Sequence, residues 1–184
     1  MNASPHSVLS HTSYLKSDST NHLQVVHSGL FTGNVYPKIL IDCPIATPTV
    51  MVRRKSLDAN LWFGENLSIA EDIIMWARIS KKKEIIGLDE PLTKVRTYQN
   101  AASQSYEKRL RASMAMANFV AQNDPNLKII KRKLLSSQRC FQGHIFAEQK
   151  HRIQAIIQYL LAIWMWPVNK GIYYGLSALF SKKT

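Results

Sequence analysis

Apolar and polar positions alternate in short runs over the first hundred residues and then settle into long helical periods. Val8 to Leu15 reads as a strand, Leu30 to Asn34 as a glycine-bearing loop, and Pro48 to Arg53 as a β-branched strand entering basic residues. Ile69, Ile73, Trp76 and Ile79 then recur at the spacing of one helical face. Ser68 stands three residues before Glu71, the spacing of a capping box: the serine oxygen accepts from a free helix amide while the glutamate reaches back to the cap amide. A helix is therefore predicted to open near Ser68, with Asp72 in its first turn. Helix N-termini in α/β units open toward the loops that hold ligands, so that turn is a candidate site.

The pattern changes between Gln99 and Ser105. A helix is predicted from about Gln104 to Gln122, closed by Asn123-Asp124-Pro125, and further helical stretches run to Trp166. Ile153 to Trp166 is nearly all apolar. Pro167 to Gly171 interrupts, and Ile172 to Phe180 resumes with two tyrosines before Lys182 and Lys183. The uninterrupted run is too short to span a bilayer. Trp164, Trp166, Tyr173 and Tyr174 with flanking lysines fit a segment lying among lipid headgroups. A helical hairpin packed on the domain explains the same residues equally well.

Composition fits one globular domain with a helical extension. The formal net charge of +12 favours anionic partners. Nucleic acid is set aside, because no zinc-finger spacing, aromatic RNA-binding signature or basic heptad region accompanies the charge. Two distant cysteines, Cys43 and Cys140, and a polar N-terminus without a charged-then-apolar pattern favour a cytoplasmic setting, peripheral at the inner face of the membrane if the tail binds lipid. Cys140, His144, Glu148 and His151 fall along one helical face with metal-ligand chemistry, but their spread exceeds two turns and one ion cannot reach all four. A polar helix face is the expected outcome there.

The stretch from Cys43 to Ser103 resembles the second half of the catalytic domain of family 2 glycosyltransferases. A strand ending in Arg53 and Arg54 precedes a loop of the GxFDExL kind, here Trp62 to Leu67. The acidic pair Glu71-Asp72 then opens a helix bearing Trp76 and Arg78, and a strand-like Glu90-Pro91-Leu92 leads to Arg96. Upstream, Val8 to Leu15 and Gly33 to Leu40 look like the segments that follow the metal-binding aspartates of that family. The resemblance implies an α/β fold of the GT-A type, with residues 1–103 as its acceptor-side half and 104–184 as a helical extension. It also implies inverting transfer from a nucleotide-sugar donor to a saccharide or lipid-linked acceptor. Asp72 takes the position of the general base and Glu71 that of a residue shaping the acceptor pocket. From the residues alone, the favoured reading makes Glu71 a capping partner and Asp72 a complement to the helix dipole, and only the resemblance reverses that preference. Trp76 is either core or a stacking surface for the acceptor. Arg53, Arg78 and Arg96 are either phosphate contacts or partners of surface carboxylates.

The chain departs from the family pattern at Gly64, where an aspartate is usual, at Ile73-Ile74, which replaces a more polar pair, and at Tyr98, where many relatives carry a histidine. It contains no Asp-x-Asp pair. The divalent cation, manganese or magnesium, expected of a complete family enzyme therefore has no clamp here, and a missing N-terminal donor-binding half becomes an expected partner. A sheet cut in this way is expected to show an open edge near the N-terminal strand and apolar side chains without partners. The alternative is a non-catalytic basic module that binds a membrane or a partner and keeps only the enzyme's shape.

Overall fold

The computed structural model describes residues 7–18, 20, 22–57, 69–96 and 105–180. It divides into two units, residues 1–99 and 100–184. Among the described residues the chain is an α/β protein with one mixed four-stranded sheet in the first unit and five helices over both. Ser68, the Trp62 to Leu67 loop and Tyr98 lie outside the described residues.

The sheet is organised by β1 (Leu9–Ser17). Along one edge, β4 (Ile85–Arg96) runs parallel to it over the whole length of β1. Along the other edge, two short antiparallel strands divide the length: β3 (Val50–Val52) opposite Leu9 to His11, and β2 (Leu23–Val26) opposite Tyr14 to Ser17. The N-terminal strand is thus interior, which corrects the expectation of an open edge there. The outer edge of β4 is itself met at its start by the loop that follows β2. Gly33 N donates to Ile85 O at 2.7 Å, Ile85 N donates to Gly33 O at 3.0 Å, and Gly87 N donates to Thr32 Oγ1 at 3.0 Å. Leu23, Val25, Met51, Leu88 and Leu92 nevertheless remain exposed on the sheet strands.

The turn Ser28–Leu30 lies flush against β4. A Cβ on Gly29 would collide with the carbonyl of Leu88, and one on Gly87 would collide with the carbonyl of Gly29, so both positions need the missing side chain. Just beyond, the register of β4 on β1 jumps, Thr12 facing Leu88 but Ser13 facing Pro91. A proline inside a strand has no amide to give the ladder, and the chain bulges around it. The bulge carries Asp89 and Glu90 out of register.

The helix α1 (Glu71–Ser80) packs on the turn Lys38–Leu40. Ile74, Met75, Trp76, Ala77 and Ile79 join Leu9, Ile39, Leu40 and Ile85 among the buried residues. Ile73 is only half-buried, so the buried face is rotated from the one its apolar spacing suggested. The helix also starts later than the capping box implied. Its N-cap is Ala70, in the left-handed region at φ 61°, with no side-chain cap bond, and Glu71 is its first residue rather than its third.

The second unit is helical throughout its described residues: α2 (Tyr106–Asn123), α3 (Lys128–Glu148), α4 (Arg152–Met165) and α5 (Lys170–Phe180). Ser105 caps α2, accepting from Lys108 N at 3.3 Å. Tyr159 of α4 is fully buried where Gly143 of α3 and Gly175 of α5 leave room for its ring, and Cys140, Ala155, Ala162 and Ile172 close around it.

The Gly29 contact gives a direct test of this architecture. Gly29→Ala is expected to destabilise the first unit by roughly 2–3 kcal/mol, since the neighbouring atoms are backbone and cannot rotate away. Urea denaturation followed by circular dichroism checks it, and an unchanged midpoint would contradict the flush packing.

Candidate functional site

Asp72 sits on the second residue of α1 with its carboxylate half-buried. Thr47 Oγ1 donates to Oδ2 at 2.5 Å, and the amide of Ile73 donates to Oδ1 at 2.7 Å. Thr47 opens the short turn Thr47–Thr49 that leads into β3, so the sheet and the helix start meet at this carboxylate. Two hydrogen bonds leave about two of its four acceptor positions open, enough to receive an incoming hydroxyl. Cys43 lies close by. Its thiol is pushed up to about 11, by burial first and then by the charges of Asp72 and Asp42, with the Ile45 amide opposing. It stays protonated near neutrality and supplies no thiolate to this corner.

The other sequence candidates are dispersed. Glu71 is half-buried beside Asp72 and does not serve as a capping-box partner at Ala70. Trp76 is 2% exposed, which places it in the core and withholds the open ring face that stacking on an acceptor needs. Arg78 lies in the last turn of α1, about 9 Å of helix rise from Asp72, where it complements the helix dipole. Arg53 is tied to the start of β1, its Nε donating to Ser7 O at 3.3 Å and its amide to Val8 O at 2.8 Å. Arg96 faces Ser17 at the opposite end of β1, roughly 30 Å from Arg53 along the strand. The two arginines therefore cannot share one small ligand.

A polar cluster that the sequence reading missed lies under β1. Its inward face carries His11, Ser13 and Ser17, all buried. Ser13 Oγ donates to Asp89 Oδ1 at 2.5 Å and accepts from Gly29 N at 3.0 Å, while His27 Nδ1 meets the same carboxylate at 2.9 Å. The serine and the histidine both address the aspartate and not each other, so this is a strut fastening the Ser28–Leu30 turn to the bulge of β4, not a nucleophile relay. The bulge-forming Pro91, two residues after Asp89, was the available signal. His11 Nε2 donates to Phe31 O at 2.8 Å, and burial lowers its pKa. A second missed element is the hairpin to β2, whose turn is held by Asp18: its Oδ1 accepts from Thr20 N at 2.9 Å and from His22 N at 3.0 Å.

In the second unit the face expected to be polar and solvated divides: Glu148 and His151 are exposed, whereas His144 is half-buried and Cys140 lies inside. Cys140 is buried, its thiol pushed up to about 11 by burial. His144 stacks on Tyr106 with ring centroids 4.5 Å apart, and its Nδ1 lies 3.0 Å from Tyr159 Oη. Burial and Arg109 lower the pKa of His144. Among the described residues no group of three or more His, Cys, Asp or Glu side chains is placed to hold a metal ion. No described helix is long and apolar enough to cross a membrane.

No family model matches the chain, and no solved structure matches it significantly. Three curated proteins do. An uncharacterized glycosyltransferase of Rickettsia felis is 38% identical over 123 residues, which is 65% of this chain and 20% of that protein. Uncharacterized glycosyltransferases of Rickettsia conorii and Rickettsia bellii are 46% and 43% identical over 90 residues, 48% of this chain and 15% and 13% of theirs. The chain thus spans a fifth or less of the length of the relatives it matches. Their names support a glycosyltransferase-like protein.

Buried His11, half-buried His144 and the strut fix the sign of the response to acid. His11 and His144 have folded pKa values below their ordinary 6.5, so below that pH the unfolded chain binds protons that the fold refuses, and stability falls on acidification. Asp89 is held below its ordinary 3.8 by Ser13 first and then His27. Its contribution is present above 3.8 and is lost as pH falls through the lower folded value. Thermal stability is therefore expected to fall first as pH drops below 6.5 and again as it drops below 3.8. His11→Gln should reduce the first loss and Asp89→Asn the second. Stability that does not fall as pH drops below 6.5 would contradict the burial of His11 and the half-burial of His144.

Proposed function

We propose that the first unit is the acceptor-side half of a family 2 glycosyltransferase of the GT-A type, with Asp72 as its general base. The observation that carries this reading is the carboxylate at the start of α1, oriented by Thr47 Oγ1 and its own helix amide with acceptor capacity to spare. The glycosyltransferase names of the Rickettsia relatives support it.

In this reading an acceptor hydroxyl hydrogen-bonds to Asp72. As its oxygen forms the bond to the anomeric carbon of the donor sugar, the bond from that carbon to the nucleoside diphosphate breaks on the opposite face. The hydroxyl proton passes to the carboxylate, giving inversion. Thr47 keeps the carboxylate facing the acceptor, and Glu71 lines the approach. The donor is a nucleotide sugar and the acceptor a saccharide or a lipid-linked saccharide. The sequence carries no Asp-x-Asp pair to clamp a manganese or magnesium ion. In this reading any cation that holds the diphosphate comes, with the nucleotide-binding strands, from sequence outside this chain, and no step here runs through it. The length of the relatives leaves ample room for such strands.

With those strands supplied by fusion or co-expression, Asp72→Asn is expected to lower kcat by about 10²–10⁴-fold while leaving the Kd for the donor nearly unchanged. The substitution removes the proton acceptor and keeps the shape. Transfer assays with single-turnover kinetics read it, and near-normal turnover would remove Asp72 from the mechanism.

A further inference from the structure

Helix α4 is apolar on two opposite sides. Ala155, Tyr159 and Ala162 form the side buried in the second unit. Ile153, Ile157, Leu160 and Trp164, at steps of four, three and four, form a second stripe on the far side, and all four are exposed, Ile153 at 73% and Trp164 at 77%. The stripe continues past the end of the helix with Val168, 71% exposed. Helix α5 repeats the arrangement. Ile172 and Gly175 are buried, while Tyr173, Tyr174 and Phe180 are exposed. Hairpin packing and an outward apolar surface, alternatives in the sequence, thus coexist. A helix apolar all round needs cover on both sides, and an exposed patch of this kind marks an interaction surface.

The charge around the stripe selects its partner. After Glu148 the sequence carries Lys150, Arg152, Lys170, Lys182 and Lys183 and no acidic residue. Lys150 and Arg152 are exposed at the start of α4 and Lys170 at the start of α5. A symmetric contact between two copies would set these uncompensated cations near their own equivalents, an arrangement that costs binding energy. An anionic lipid surface answers both features at once. Headgroups take the lysines and arginine, and the acyl boundary takes the aliphatic stripe. The amphipathic rings of Trp164, Tyr173 and Tyr174 suit the depth between.

We infer that the outer face of the α4–α5 hairpin docks in the plane of an anionic bilayer surface through the Ile153 to Trp164 stripe. The hairpin stays folded as it docks, because the buried side of α4 is already occupied by α3 and α5. The docking is independent of Asp72 and of the transfer reaction.

Co-sedimentation of the 184-residue chain with phosphatidylglycerol-containing vesicles, and with pure phosphatidylcholine vesicles, tests this. Binding is expected on the anionic vesicles and should weaken steeply with salt. It should fall on the order of tenfold or more in the Leu160→Gln/Trp164→Gln double variant. These side chains are exposed, so the variant should keep its helical circular dichroism; Leu160→Met/Trp164→Phe, which preserves the apolar surface, should retain binding. Failure to bind anionic vesicles overturns the inference, as does binding that the double glutamine variant leaves intact. Self-association in sedimentation velocity that the double glutamine variant abolishes, without vesicle binding, assigns the stripe to a second copy and also overturns it.

Discussion

Among the described residues every other strand of the first unit is hydrogen-bonded to β1, and the inward face of β1 is partly polar. His11, Ser13 and Ser17 lie buried among apolar neighbours, and a buried polar group without a partner costs far more than one well made hydrogen bond returns. The rest of the unit is arranged around meeting those groups. The Ser28–Leu30 turn presses so closely on β4 that two glycines are required, and in doing so it brings the Gly29 amide to Ser13 and the Phe31 carbonyl to His11. The bulge at Pro91 turns Asp89 toward the same serine. With β1 fixed in this way, β3 docks on its first residues, and the turn before β3 delivers Thr47 to Asp72.

The strands rich in β-branched and apolar residues were legible in the sequence, because alternation and turn residues are local signals. Val8 to Leu15 lies in β1 but for its first residue, Pro48 to Arg53 contains β3, and the Asn123-Asp124-Pro125 stop closes α2. Partner choice was not legible. Nothing local distinguishes an edge strand from the one that all others join, so β1 was expected beside an open edge and is interior. The four-residue β2 escaped notice because its hairpin is set by the Asp18 carboxylate and not by a glycine turn. The start of α1 was displaced for a related reason. A serine and a glutamate at capping spacing are local evidence, whereas the helix begins after Ala70 in a left-handed conformation that the spacing does not signal.

The candidate site was legible only in part. Asp72 stands at a helix start, as its place in the first turn of the predicted helix implied, and the structure adds Thr47 and Cys43, which sequence spacing could not bring near it. Trp76 shows the limit of periodicity: its spacing makes it face inward, and an inward tryptophan is core whatever it resembles. Arg53 and Arg96 stand at opposite ends of β1, a relation that the strand register reveals and sequence spacing does not. In the second unit, Cys140 and His144 carry ligand chemistry that is spent on packing around Tyr159.

The central proposal is that this chain supplies an acceptor-side base without a clamp for the donor diphosphate. Calorimetric titration of the 184-residue chain with nucleotide sugars, with and without manganese, tests it most directly. Isolated acids and a net charge of +12 should give weak, salt-sensitive binding that neither manganese nor the identity of base and sugar strengthens. Tight, manganese-dependent and base-selective binding by these residues alone would contradict the account.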